Sequence, residues 1–140
     1  MEIRVFGLVL LLVMCAALPA ESQSWEEFRQ KHIYPSMDER GCTDMINNRN
    51  VVNPDGTCKP INSFILATED QVIAVCHKGG RPVSWNVRES NSGFLVVHCS
   101  LNVGSNPCTY ANEKPTLRYI TITCEKGLPV HYKGDRDLVN

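Results

Sequence analysis

The sequence predicts an α+β fold, and three observations carry that expectation. Capping signatures and short apolar stripes place three helices in the first half of the chain. From Lys78 onward, apolar residues alternate in short runs broken by turn residues, as in an antiparallel sheet. Helices first and strands afterwards describe an α+β arrangement. Six cysteines outside the leader, with no Cys-x-x-Cys pair among them, imply three disulfides rather than a zinc ribbon or redox motif.

The chain opens on a secretory leader. Arg4 supplies a weak basic region, Val5 to Pro19 is an apolar run, and Ala20 and Ser22 fit the small positions before a cleavage after Ser22. Cleavage after Ala20 or Ser24 is the alternative. The run is shorter than the roughly 20 apolar residues of a membrane span. The leader takes Cys15 with it, leaving Cys42, Cys58, Cys76, Cys99, Cys108 and Cys124 in one domain over 23–140. Spacing alone leaves about 15 connectivities open. Of 14 basic and 15 acidic residues, Arg4, Glu2 and Glu21 lie in the leader, so the remainder balances at 13 each. Such a chain has no general attraction for nucleic acid or anionic membrane, and any polyanion must be held by a local cluster. No Asn-x-Ser/Thr sequon is present.

Ser24-Trp25-Glu26-Glu27 reads as a capping box that starts the first helix. Trp25, Phe28 and His32 then share one face, and Lys31 and His32 fall in the last turn before Pro35. The segment 35–41 is a polar connector. Thr43 is the expected cap of a second helix reaching about Asn48. Asn53-Pro54-Asp55-Gly56 is a turn, and a half-buried strand is expected over Ser63–Leu66. Thr68 and Gln71 cap a third helix carrying Val72, Ile73, Val75 and Cys76. Gly79 to Pro82 reads as a loop and Val83–Val87 as a strand. In Phe94–Ser100, residues Phe94, Val96 and His98 share one face and Leu95, Val97 and Cys99 the other. Tyr110 and Leu117–Cys124 flank an expected hairpin turn at Asn112–Pro115. The last strand runs from Leu128 to about Lys133, with His131 pointing away from Val130 and Tyr132.

The stretch Cys58-Lys59-Pro60-Ile61-Asn62-Ser63-Phe64 concentrates the chemistry. A cysteine anchors it and Pro60 stiffens it, so Lys59 is a cation on a backbone held at both ends. A lysine beside a proline is often only a solvated turn, and His32 on its own reads as a helix residue packed beside Phe28. The two gain meaning together with His131. The four histidines His32, His77, His98 and His131 lack metal-ligand spacing, and His77 reads as a surface residue.

With Phe28-x-x-x-His32, the Cys58–Phe64 segment, the six cysteines, and Cys124-Glu125 followed by Pro129-Val130-His131-Tyr132, the chain resembles the pancreatic-type ribonuclease (ribonuclease A) superfamily along essentially its whole mature length. The resemblance implies a V-shaped antiparallel sheet with three short helices. It also implies disulfides Cys42–Cys99, Cys58–Cys108 and Cys76–Cys124, in a three-disulfide plan like that of angiogenins and several non-mammalian members. His32, Lys59 and His131 are then the catalytic residues: base, electrostatic stabiliser and acid. Lys31, Asn62, Ser63, Tyr132 and Glu125 are the substrate-binding candidates. Lys31 stands where mammalian members carry glutamine, and offers phosphate a charge instead of an amide. Ser63 stands in place of a threonine that reads pyrimidines, and Tyr132 in place of a phenylalanine.

The implied activity is cleavage of single-stranded RNA or tRNA 3′ of pyrimidines, without metal or other cofactor, by a secreted monomer. A second reading is an angiogenin-like signalling or host-defence protein with weak catalysis, engaging a cell-surface receptor or bacterial surface. The balanced charge speaks against it, since Asn47-Asn48-Arg49 contains no polybasic run. A third reading, a catalytically dead binding module, conflicts with the complete His32, Lys59 and His131 set. One position departs from the family: an aspartate commonly follows the second histidine by two residues, and here Lys133 stands there. Lys133 is therefore expected to lower the pKa of His131, weaken its orientation and slow cleavage, with rescue by Asp135 or Asp137 as the alternative.

Overall fold

The computed structural model describes residues 24–36 and 41–138; the expected leader, Cys15 and most of the 35–41 connector lie outside them. Helix α1 (Trp25–His32) starts with the Ser24 hydroxyl accepting the Glu27 N–H at 3.2 Å. Its acids sit in the first turn and Arg29, Lys31 and His32 in the last, the order the helix dipole favours. The inward stripe is a stack of rings. Trp25 lies 6.2 Å from Phe28, and Phe28 lies 5.1 Å from His32. Ile33 then turns extended and bridges Ile65.

Helix α2 (Cys42–Asn48) differs from expectation at its start. Thr43 lies inside it, and Gly41 precedes it without a side-chain cap. The Thr43 hydroxyl accepts the Tyr110 N–H at 2.8 Å and so fastens a distant strand. Helix α3 (Glu69–Ile73) carries the complete Thr68–Gln71 capping box and runs into a tighter 3₁₀ turn at Ala74–Cys76.

The strands are β1 (Ile61–Ile65), β2 (Gly80–Ser84), β3 (Val87–Ser90), β4 (Phe94–Leu101), β5 (Tyr110–Asn112), β6 (Thr116–Glu125) and β7 (Leu128–Asp137). All pair antiparallel in the order β1-β4-β6-β3-β2, with β5 also on β4 and β7 also on β6. Several boundaries differ from the sequence reading, each for a local reason. Gly80 belongs to a strand, not a loop, because a Cβ there would stand 2.1 Å from the Val75 carbonyl oxygen. The reversal comes instead at Trp85-Asn86, where Asn86 adopts φ +53°. Asn112–Pro115 does not close a hairpin. β5 pairs with Cys99–Leu101 and β6 with Phe94–Val96, so both lie along the same edge of β4. The tight hairpin is at Lys126-Gly127, both with positive φ as a type I′ turn requires. It lets β7 run on to Asp137, well past Lys133.

β1 is not half-buried, for Asn62 through Ile65 are all buried. Phe64 joins Cys42, Ile46, Val97, Cys99 and Tyr110 on one side of the sheet. Ile65 joins Phe28, Val72, Val75, Val96, Ile120 and Ile122 on the other. β4 alternates as expected between the same two clusters. The disulfides are Cys42–Cys99, Cys58–Cys108 and Cys76–Cys124, as implied. The first ties α2 to β4, and the third ties the 3₁₀ turn to β6. Together these constraints set the C-terminal end of α1 against β1 and β7.

Candidate active site

His32, the last residue of α1, is only 9% exposed. Its ring lies between Phe28 and Tyr132, both 5.1 Å away between centroids, and is nearly parallel to Tyr132. The Nδ1 atom is 2.8 Å from the Ser63 carbonyl oxygen. A carbonyl only accepts, so Nδ1 carries the proton and the neutral ring keeps its lone pair on Nε2.

Lys59 comes from the turn before β1. Its Nζ donates to Asn62 Oδ1 at 3.0 Å, and Asn62 Nδ2 donates to the Lys31 carbonyl at 2.8 Å. Asn62 is 2% exposed and therefore acts as a buried brace between the amine and the end of α1. The Lys59 carbonyl in turn accepts the Tyr110 hydroxyl at 2.7 Å.

His131 arrives on β7. There β6 and β7 shift register twice, leaving Val130 and Lys133 as extra residues. The bulge at Val130 breaks the face it was expected to share with Tyr132, while the register from His131 to Tyr132 is unbroken, and all three border one cleft. That cleft, of about 630 Å³, also borders Lys31, His32, Lys59, Asn62, Ser63, His98 and Asp135. Seven of the eight proposed site residues therefore meet. Glu125 is the exception, since it sits exposed beside the Lys126-Gly127 turn and does not border the cleft. His77 is exposed, as expected.

A family model described as pancreatic ribonuclease matches residues 23–133. The chain belongs to the pancreatic ribonuclease family. Mouse Angiogenin-4 is 36% identical over 129 residues, covering 89% of this chain and 87% of its own. The ribonuclease of Chelonia mydas is 36% identical over 115 residues, covering 77% and 94%. Among solved structures, zebrafish RNase5 superposes with a TM-score of 0.73 at 35% identity, covering 79% of this chain and 93% of that one. Green turtle egg-white ribonuclease gives 0.71 at 32% identity, covering 80% and 98%.

The electrostatics of this pancreatic-type ribonuclease follow from crowding cations into a half-closed cleft. Burial pushes His32 down to about 3, against the raising effect of the Ser63 carbonyl, and Lys59, Lys31 and His131 add to the depression. His131 is lowered first by burial and then by Lys133, Lys59 and Lys31. Lys59 is lowered by burial and by Lys31. The carboxylates of the cleft are engaged. Glu27 lies 3.5 Å from Lys31, and Asp135 bonds Arg118, His98 and Tyr132. Asp137 pairs with Arg118. Neither substitutes for the missing aspartate, because among the described residues none makes a hydrogen bond or ion pair with the His131 ring.

Sequence reasoning missed His98 and the network around Asp135. Alternation placed His98 on the Phe94–Val96 face of β4, but only the strand register sets it opposite Ser63. No local pattern carries that pairing.

Proposed function

We propose that this chain, processed to begin near Gln23, is a secreted endoribonuclease that cleaves RNA 3′ of pyrimidines through a 2′,3′-cyclic phosphate. The observation that carries the reading is one cleft holding an imidazole with its lone pair fixed on Nε2, a braced ammonium, and a second imidazole. RNA brings its own nucleophile, so the protein needs only to move two protons and stabilise charge. Neutral His32 takes the 2′-hydroxyl proton through Nε2 as that oxygen attacks phosphorus. The bond from phosphorus to the 5′-oxygen breaks, and protonated His131 delivers a proton to the departing oxygen. Lys59 faces the charge that grows on the non-bridging oxygens. Water then opens the cyclic phosphate with the two histidines in reversed roles. Lys31 adds a cation for phosphate, and Ser63 and Tyr132 receive the base. DNA lacks the 2′-hydroxyl and is expected to bind without being cut.

Turnover of tRNA and of dinucleotides in the presence of EDTA tests this reading. Cleavage after pyrimidines that EDTA leaves unchanged is the expected result. Abolition by the chelator would overturn the mechanism. The likeness to mouse Angiogenin-4 favours a second reading, a signalling or host-defence protein acting at a receptor or bacterial surface with weak catalysis; turnover near background with intact fold would select it.

Lys133 supplies a further expectation. A cation beside an acid that must be protonated lowers its pKa. Lys133→Asp reverses that charge and offers the ring an acceptor. The basic limb of kcat/KM should therefore move upward, with faster cleavage at neutral pH. A pH–rate profile with an unmoved limb and no gain would show that position 133 does not act on His131.

A further inference from the structure

The end of α1 that carries Lys31 and His32 has no closure of its own. A helix leaves its last carbonyls without N–H partners, and many helices satisfy them with a left-handed residue just past the end. Here Ile33 turns extended to bridge Ile65, so that closure is not open to the chain. Two side chains from elsewhere supply it. Asn62 donates to the Lys31 carbonyl. Arg49 holds three more: its Nη1 donates to Ile33 O at 2.6 Å, to Gln30 O at 3.0 Å and, more weakly, to Arg29 O at 3.4 Å. Gln30 returns the bond, its Nε2 donating to the Arg49 carbonyl.

Arg49 reaches across from a rigid mount. It is the C-cap of α2, and that helix is closed by a complete Schellman motif. Asn50 is left-handed at φ +55°, its N–H bonds Asn47 O at 3.2 Å, and the Val51 N–H bonds Ile46 O at 2.9 Å. Val51 and Ile46 are buried in the cluster around Phe64, and Cys42–Cys99 fastens the start of α2 to β4. The guanidinium also stacks 4.7 Å over the Tyr34 ring. A cation at this place meets the negative end of the α1 dipole. α1 has only eight residues, too few to hold its own last turn, so that turn depends on such ties.

We infer that Arg49 is a positioning residue for His32, setting the last turn of α1 so that the Nε2 lone pair meets the 2′-hydroxyl. The inference rests on the ribonuclease mechanism proposed above and extends it to a residue that does not border the cleft. The His32 ring is pinned to Ser63 and stacked between Phe28 and Tyr132, but its backbone goes where the helix end goes. A displacement of about 1 Å can cost roughly a hundredfold in rate, and loosening one of several ties should cost less. The charged and titratable groups facing His32 are Lys31 on its own helix, Lys59 ahead of β1, and His131 and Tyr132 on β7. None of these is removed with Arg49. Burial is the first cause holding His32 at about 3, so a loosened helix end admits water and lets that pKa climb toward its ordinary value.

The test compares Arg49→Met, which keeps the stem and loses the donors, with the parent on tRNA and dinucleotides across pH. The expected result is a kcat about tenfold lower with KM little changed, and an acidic limb of kcat/KM moved upward. Arg49→Lys should recover part of the loss, because its ammonium ends one bond short of the Nη1 position and cannot stack flat on Tyr34. In a His32→Ala background, Arg49→Met should cost nothing more. Arg88 is the control, since it ties the Val75, His77 and Gly80 carbonyls in the same manner away from the cleft. Arg88→Met should lower the melting temperature yet leave kcat and the acidic limb in place, with all rates taken well below melting. Arg49→Met activity within about twofold of the parent with an unmoved limb overturns the inference. The same loss and shift in Arg88→Met, or an undiminished loss in the His32→Ala background, also overturns it. Those results leave the ribonuclease mechanism standing. A parent that does not cleave RNA, or a His32→Ala protein as active as the parent, removes the mechanism itself.

Discussion

His131→Ala is expected to lower kcat/KM for RNA cleavage by about 10²–10⁴, the range a positioned general acid supplies. The departing 5′-oxygen is a poor leaving group unless it is protonated as the bond breaks. No other imidazole is placed for that task, since His98 is bonded to Asp135 and His77 to the Gly127 carbonyl. His32→Ala should cost a similar factor, and the double variant much less than the product of the two, because the pair works as a unit. The pH profile separates the roles. A base acts above its pKa and an acid below its own. With His32 depressed to about 3 and His131 lowered by burial and Lys133, kcat/KM should peak on the acidic side of the ordinary imidazole value of about 6.5. His131→Ala should flatten the basic limb and His32→Ala the acidic one. Near-full activity in either variant with an unchanged profile would remove that histidine from the mechanism. His32→Ala also loses the ring stacked between Phe28 and Tyr132, so its melting temperature is measured alongside.

The histidines were legible in the sequence because each sits inside a local pattern. His32 ends a capped helix whose inward stripe is written at helical spacing. His131 follows Pro129-Val130 in an apolar strand, and Lys59 is framed by a cysteine and a proline. Capping chemistry and turn residues are local, so α1, α3 and the order of helices before sheet could be read directly. What failed was whatever depends on a distant partner. Thr43 looks like a cap, yet its hydroxyl bonds Tyr110 because Cys42 must lie within the helix that reaches Cys99. Gly80 looks like a turn, yet it is glycine because the Val75 carbonyl presses on it. The two bulges in β7, at Val130 and Lys133, are invisible as a pattern, and they reset the phase of the strand on either side of His131 and Tyr132. Rescue of His131 by Asp135 was the alternative reading; the length of β7 and the register of β4 commit Asp135 to His98, Arg118 and Tyr132 instead.

Lys59→Ala is expected to reduce kcat by about 10²–10³, with KM much less affected, as removal of a preorganised oxyanion donor does elsewhere. The ammonium lies in a half-closed cleft where a charge is worth more than in water. It is held in place before substrate arrives, through Asn62 to the backbone at Lys31 and through its own carbonyl to Tyr110. Burial and Lys31 both lower its pKa, so the site holds the cation at a cost that an incoming phosphate offsets. That arrangement favours the transition state, in which the non-bridging oxygens carry more charge than in the bound substrate. Asn62→Ala keeps the ammonium but frees it to wander. It should therefore lose less in kcat than Lys59→Ala and nothing further when the two are combined. Lys59→Arg should rescue only in part, because a planar guanidinium cannot take the single-point bond to Asn62 from the same place. Turnover of the Lys59→Ala protein within twofold of the parent, with its fold intact, would leave Lys59 no part in stabilising the transition state.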